Sequence, residues 1–192
     1  MTVRPAALLG LSLLCACGGG LQQVDGEVAG YSLDAHEAVL NSVRDPDTGA
    51  AFTQVLIGDI DRICDQLSGG LLLSGQTILF MSLAIAAPEG AFEQAGSAGR
   101  FDVVPDTVQE GSRVASVLFL KMRPGCGADA NEGATGGTVT VTHAAPALAA
   151  YTDEVTELAA SIDLVFPHGH ITGRFSAVRC DQLEGKHLLA CL

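Results

Sequence analysis

The sequence predicts a mainly β protein, an antiparallel sandwich or barrel of about eight or nine strands with one short helix. Short β-prone runs follow one another from Val28 onward and are separated by Gly, Pro, Asp and Asn. Several runs alternate apolar and polar residues, which is the period of a strand with one buried face. Strands do not alternate with long helical patterns, and this argues against a parallel sheet.

The sequence contains four weaker strand candidates and one short helix. The strand candidates are residues 28–33, 36–43, 52–57 and 99–104. Residues 59–67 predict the helix, because Ile60, Ile63, Cys64 and Leu67 recur at helical spacing. Asp59, Asp61 and Asp65 then form its solvated face and N-terminus, where carboxylates are favourable.

Other segments predict strands more strongly. Residues 77–87 are apolar on both faces, which is typical of a central strand, although a buried helix has the same pattern. Residues 113–122 predict a further strand, and residues 137–143 alternate valine with threonine. Residues 123–136, rich in Gly and Ala, predict the longest loop.

Residues 161–179 predict a hairpin around Pro167-His168-Gly169-His170. A four-residue loop there places Phe166 opposite Ile171 and Asp163 opposite Arg174. One face of the hairpin is then apolar and the other polar, as expected for a sheet with one buried side.

The N-terminus carries a short apolar leader that ends in a cysteine motif. Residues 1–5 contain one positive charge, and residues 6–14 are apolar and uncharged. This layout is typical of a secretory signal, and the apolar run is about half the length of a membrane span. Leu14-Cys15-Ala16-Cys17 resembles the lipobox of bacterial lipoproteins. A plain signal peptide and a buried helix are the alternatives, and the glycines at 18–20 argue against the helix.

The lipobox resemblance implies three segments: a signal peptide over residues 1–16, a lipidated Cys17 with a flexible tether over residues 17–24, and a single β-rich domain over residues 25–192. Several acyl chains on one cysteine hold a protein at a membrane without a spanning helix. Gly18 stands where an aspartate tends to retain such proteins at the inner membrane. By analogy, the absence of an aspartate at this position favours the outer membrane.

Four cysteines remain after Cys17, and an even number in an exported chain predicts two disulfides. They are Cys64, Cys126, Cys180 and Cys191. Sequence alone allows three connectivities; we favour Cys180–Cys191 as a local clasp, with Cys64–Cys126 in the first half. Zinc is the alternative, but no pair shows Cys-x-x-Cys spacing.

Composition excludes some partners. The formal charge of −12 argues against nucleic acid, which requires a basic surface. Trp is absent and aromatic residues are few, so a large aromatic interaction surface is not expected. The partners we expect are the membrane, through the lipid anchor, and an envelope protein.

No motif predicts catalysis, a cofactor or a metal. His36-Glu37 lacks the second histidine of a zinc protease. His168, His170 and His143 are a weak metal set, and a solvated turn is the preferred interpretation. Asp45-Pro46-Asp47-Thr48-Gly49 and Asp129-Ala130-Asn131 lack the later ligands of a calcium loop, so both predict turns.

Cys64-Asp65-Gln66-Leu67 recurs as Cys180-Asp181-Gln182-Leu183, and each copy is followed after one residue by glycine. The flanking residues differ. We therefore interpret the repeat as a matching local turn after each cysteine rather than as a duplicated domain.

In its leader, cysteines and strand-rich body the chain resembles small bacterial lipoproteins, which mostly have no assigned activity. The resemblance implies a non-enzymatic, lipid-anchored envelope protein with a binding or structural role. Two alternatives are a periplasmic or surface hydrolase without a recognisable motif and a small β-barrel carrier of an apolar ligand.

Overall fold

The computed structural model describes residues 22–44, 49–69, 75–88, 91–94, 97–103, 107–124, 127–146 and 155–183. Within these ranges the chain forms twelve strands, one α-helix and a 3-10 turn at Asp181–Leu183. In chain order the elements are β1 (Gln23–Val28), β2 (Tyr31–Asp34), β3 (Glu37–Arg44), β4 (Ala51–Gly58), α1 (Ile63–Ser68), β5 (Thr77–Ala86), β6 (Phe92–Gln94), β7 (Gly99–Val103), β8 (Arg113–Met122), β9 (Ala128–Gly133), β10 (Gly136–Pro146), β11 (Val155–Phe166) and β12 (Gly169–Arg179). The predicted signal peptide and Cys17 lie outside the described residues.

Eight of the described strands close into a barrel. Hydrogen bonding runs in the order β11, β10, β7, β8, β5, β4, β3 and β12, and β12 pairs back with β11. Neighbouring strands are antiparallel except at the short β7–β8 and β12–β3 contacts. The hairpin β1–β2 lies beside β12, β6 pairs with β5, and β9 pairs with β8. The all-β prediction is therefore confirmed, and closure identifies the barrel rather than the sandwich.

The barrel interior is packed with apolar side chains from all eight barrel strands. Phe101, Phe119, Leu79 and Met81 are fully buried within this cluster. An eight-stranded barrel is just wide enough for its own side chains to fill it. The alternating valines of β10 belong to this interior, which explains why the threonines between them face outward.

A second apolar cluster lies on the outer wall, where α1 packs Ile63 and Leu67 against the barrel. Strand side chains in this cluster are Val39, Leu56, Ile78, Leu120 and Met122. The two clusters help to explain why β5 is apolar on both faces: Leu79, Met81 and Leu83 line the interior, and Ile78 on the other face packs in the cluster with α1. The prediction of a central strand at residues 77–87 is confirmed, and β8 has the predicted bounds.

The β11–β12 hairpin has a tighter turn than predicted. Phe166 pairs with Gly169 and Asp163 with Thr172, so only Pro167 and His168 connect the strands. The predicted pairings of Phe166 with Ile171 and of Asp163 with Arg174 are therefore wrong by two residues. The predicted faces are nevertheless right, because a shift of two leaves each side chain on the same side of the sheet.

Three other predicted elements differ from the structure. Residues 28–33 are not one strand, because Ala29 and Gly30 form the turn between β1 and β2. The predicted loop at 123–136 contains β9, where Asp129 and Asn131 lie in a strand rather than a turn. β1 begins at Gln23, so the last residues of the predicted tether 17–24 belong to the sheet.

The helix also begins later than predicted. Asp59 is held at β5, because its Oδ1 accepts a hydrogen bond from the Thr77 N–H at 2.9 Å. Arg62 adopts a left-handed conformation with φ 60°, which prevents helix before Ile63. Among the described residues, no helix is long and apolar enough to cross a membrane.

Candidate functional site

The candidate site starts at a gap beside β12. β1 pairs with this strand as far as Arg174, and β3 pairs with it from Val178. Between the two pairings, the Gln22 side chain replaces a neighbouring strand: its Nε2 donates to the Ser176 carbonyl at 2.8 Å. The gap therefore leaves an opening in the outer wall, next to the N-terminal end of α1.

Helix α1 forms the second wall of this opening, and a carboxylate from the barrel holds its first residue. The Ile63 N–H donates to Glu37 Oε2 at 3.0 Å. The first N–H groups of a helix have no partner within the helix, and a carboxylate satisfies them with favourable charge. Glu37, the first residue of β3, therefore fixes where α1 begins.

A disulfide between Cys64 and Cys180 joins α1 to the end of β12, with the two Cα atoms 5.6 Å apart. The favoured pairings Cys180–Cys191 and Cys64–Cys126 are therefore wrong. The reason is topological: the parallel contact of β12 with β3 continues into a hydrogen bond from the Cys180 N–H to the Leu40 carbonyl. This contact brings Cys180 under α1, although 116 residues separate it from Cys64.

Together these elements enclose a cleft of about 400 Å³ on the outside of the barrel. Its charged and histidine side chains are His36, Glu37, Asp61, Arg62 and Asp65, and its other lining residues are Gln22, Ala38, Cys64, Ser176 and Val178. This cleft is the site that sequence analysis missed, because its residues come from four distant parts of the chain. In the sequence, His36-Glu37 matches only the first two residues of a zinc-protease motif.

Four of the five charged or histidine side chains of the cleft form two pairs. His36 Nδ1 lies 3.7 Å from Asp61 Oδ1, and Arg62 Nη2 lies 2.7 Å from Asp65 Oδ2. All four side chains are substantially exposed, so such pairs contribute little to stability. Asp61 and Asp65 do lie at the start of α1 as predicted, whereas Asp59 is held at β5.

The repeated Cys-Asp-Gln-Leu sequences meet at this site. The first copy lies in α1, the second leads into the 3-10 turn at Asp181–Leu183, and their cysteines bond to each other. This agrees with a matching local turn after each cysteine. The repeat contains both cysteines of the bond beside the cleft, but the sequence does not show that the two copies meet.

The predicted histidine candidates do not converge. His168 Nδ1 lies 2.7 Å from Glu132, and His170 Nε2 lies 2.7 Å from Asp163. In the parts of the chain that the structure describes, no three His, Cys, Asp or Glu residues come close enough to hold a metal ion.

The candidate calcium segment at Asp129 lies in a strand and not in a binding loop. Asp129 pairs with Arg123 at 2.8 Å on the β8–β9 hairpin. The candidate at residues 45–48 lies outside the described residues.

Cys126 and Cys191 also lie outside the described residues, so the second disulfide stays a prediction. With Cys64–Cys180 formed, the one pairing left is Cys126–Cys191. Trypsin separates all four cysteines onto the peptides 63–100, 122–174, 180–186 and 187–192. We expect non-reducing peptide mapping to find peptide 63–100 joined to 180–186, and peptide 122–174 joined to 187–192. Free thiols on peptides 122–174 and 187–192 would contradict the prediction of two bridges.

The comparisons with known proteins add no relative: no family model, curated protein or solved structure matches this chain.

Proposed function

We propose that the chain is a lipid-anchored envelope lipoprotein, attached through Cys17, whose domain binds a ligand or partner rather than catalysing a reaction. The observation that carries the proposal is the Cys64–Cys180 disulfide. Disulfides persist in oxidising compartments and are rare in the cytoplasm. The bond therefore supports export, which is also what the lipobox-like leader implies.

The packed interior favours binding on the outside of the barrel. A barrel is the fold that a carrier of apolar ligands would use, but side chains such as Phe119 and Leu79 occupy the centre of this one. The exterior cleft has the volume of an ordinary ligand site, for which about 300–1,000 Å³ is typical. We therefore place ligand binding at the cleft.

The chemistry of the cleft favours binding over hydrolysis. A catalytic thiol must be free and must lie within hydrogen-bonding reach of a base. Here the cleft sulfur of Cys64 is held in the disulfide, and the imidazole of His36 faces a carboxylate, Asp61. The formal charge of −12 argues against a nucleic-acid partner.

Labelling with palmitate in a bacterial host tests the anchor. We expect label on the wild-type protein, no label on Cys17→Ser and undiminished label on Cys15→Ser, the matched control two residues away. Label that survives Cys17→Ser, or that is lost from Cys15→Ser alone, would overturn the assignment of the lipidated cysteine.

A substitution of Gly18, directly after Cys17, tests which membrane holds the protein. We expect the wild-type protein to fractionate with the outer membrane and Gly18→Asp to move toward the inner membrane, while both remain labelled. Labelled wild-type protein found in the inner membrane would contradict the proposed location without removing the anchor.

A further inference from the structure

We propose that the last nine residues of the chain, 184–192, pack across the outer wall of the barrel and complete its second apolar cluster. These residues lie outside the described part of the chain. Three observations carry the proposal: an apolar row on the wall that α1 covers only in part, the place where the described chain ends, and the length and composition of the nine residues. The proposal is independent of the lipid anchor and of ligand binding at the cleft.

An apolar row crosses the outer wall on four neighbouring strands, β3, β4, β5 and β8. It consists of residues that lie directly opposite one another: Val39, Leu56, Phe80 and Leu118. Their neighbours along the strands, among them Leu79 and Phe119, belong to the interior cluster, so the row faces outward. Val39 and Leu56 are buried, whereas Phe80 and Leu118 are half-buried.

Helix α1 is too short to cover the whole row. Its six residues extend about 9 Å, whereas β3 and β8 are three strand spacings apart, about 14 Å. The helix lies nearest to β3 and to the 3-10 turn. The half of the row on β5 and β8, which contains Phe80 and Leu118, therefore needs another cover.

The described chain ends at the β3 side of this wall. The Cys180 N–H donates to the Leu40 carbonyl, and the 3-10 turn at Asp181–Leu183 contacts α1 and β3. Asn41 is completely buried beside this turn, although the alternation along β3 places its side chain on the same outward face as Val39. The chain that leaves the turn therefore starts over the outer wall.

The nine residues have the length and the composition of a cover. Their sequence is Glu-Gly-Lys-His-Leu-Leu-Ala-Cys-Leu, so polar residues come first and the last five are apolar. Eight extended residues beyond Leu183 span about 26 Å or more, which exceeds the width of the wall. The leucines at 188, 189 and 192 gain free energy when they leave water for an apolar surface.

The remaining cysteines give the segment a direction. Cys126–Cys191 is the pairing predicted above, and Cys126 lies in sequence between Arg123 and Gly127, whose backbones are joined by a hydrogen bond just after β8. A segment that starts beside β3 and is bonded next to the end of β8 has to cross β4 and β5. It then passes over the apolar row, which becomes part of the core and not a docking face for a partner.

Urea denaturation of the detergent-solubilised, oxidised protein tests whether the leucines are buried. We expect Leu188→Ser with Leu189→Ser to raise the unfolding equilibrium constant at least about tenfold, because buried apolar surface is lost. Val165→Ser is the control, since Val165 is an exposed apolar residue on β11, outside the row. It should change the constant by less than about threefold. An effect of the double leucine variant no larger than that of the control would overturn the proposal.

Hydroxyl-radical footprinting of the same proteins locates the cover. We expect the double leucine variant to be oxidised faster than the wild type at Phe80 and Leu118, and at an unchanged rate at Val165. If the double variant does not fold, Leu189→Ala alone provides both measurements. Unchanged rates at Phe80 and Leu118 in the folded variant would overturn the proposal.

The same measurement distinguishes other covers of the wall. Leu72→Ser makes the matched substitution in a second leucine-rich segment, 70–74, and should leave Phe80 and Leu118 protected. Loss of protection in Leu72→Ser but not in the leucine variants of the C-terminus would assign the wall to that segment. Protection that depends on protein concentration and not on the leucines would assign it to a second copy of the chain. Either result would overturn the proposal.

Discussion

Replacing Cys64 by alanine is expected to lower the free energy of unfolding by about 4–5 kcal/mol, measured by urea denaturation of the oxidised protein. The bond to Cys180 closes a loop with a sequence separation of 116 residues. In the chain-entropy relation, a cross-link over a loop of that size stabilises the folded state by about 4.7 kcal/mol, because it restricts the unfolded chain.

The local consequence of the same substitution is a less stable α1. A helix of six residues is too short to be stable alone, so its stability depends on tertiary contacts. Ile63, Leu67 and the Glu37 carboxylate remain after the bond is lost. We expect faster amide exchange in α1 than in the barrel strands of the variant.

The control is a double-mutant cycle with Cys180→Ala. Removing either sulfur breaks the same bond, so the double variant should be about as stable as either single variant. If the double variant loses the sum of the two single-variant losses in free energy of unfolding, the assignment of this pair is contradicted. So would a Cys64→Ala protein as stable as the wild type.

The strands that could be predicted from sequence are those whose two faces differ or are both apolar. β8, β10 and the hairpin β11–β12 show one of these patterns, because their inward residues fill the barrel. The same periodicity cannot choose between registers that differ by two residues, because the inward and outward sets are unchanged. This is why the faces of β11 and β12 were predicted correctly and the turn was not.

The strands that could not be predicted carry little of this signal. β9 consists of Ala, Asp, Asn, Glu and Gly, which are turn-forming or weak strand formers, and it lies in the sheet because β8 offers it a partner. The short β6 similarly depends on β5. In both cases tertiary pairing overrides local preference.

The cleft could not be predicted for a different reason. Its residues are ordinary in their local sequence context, and the pairing of β12 with both β1 and β3 brings Gln22, Glu37 and Ser176 together. The cysteine count predicted that disulfides exist, but the connectivity followed from the β12–β3 contact, which no local pattern encodes. The repeated Cys-Asp-Gln-Leu sequence predicted a matching turn after each cysteine. It did not predict that the two cysteines bond to each other.

Gly137→Ala is expected to destabilise the barrel by about 3 kcal/mol or more, since a left-handed or strained backbone alone costs about 1–3 kcal/mol. Gly137 has φ 111°, a conformation that L side chains rarely adopt. A Cβ at this position would also overlap the carbonyl oxygen of Asp163 on β11. The close β10–β11 pairing, in which Gly137 lies opposite Leu164, therefore requires glycine.

The neighbouring glycine is the matched control. Gly136 has no positive φ, and a Cβ there meets nothing within 4 Å. Gly136→Ala should therefore change stability by less than about 0.5 kcal/mol. Urea denaturation of both variants separates the specific clash from the general effect of replacing glycine in β10. Equal stabilities would mean that β10 and β11 do not approach as closely as the barrel requires, and the closure of the sheet at this pair would have to be abandoned.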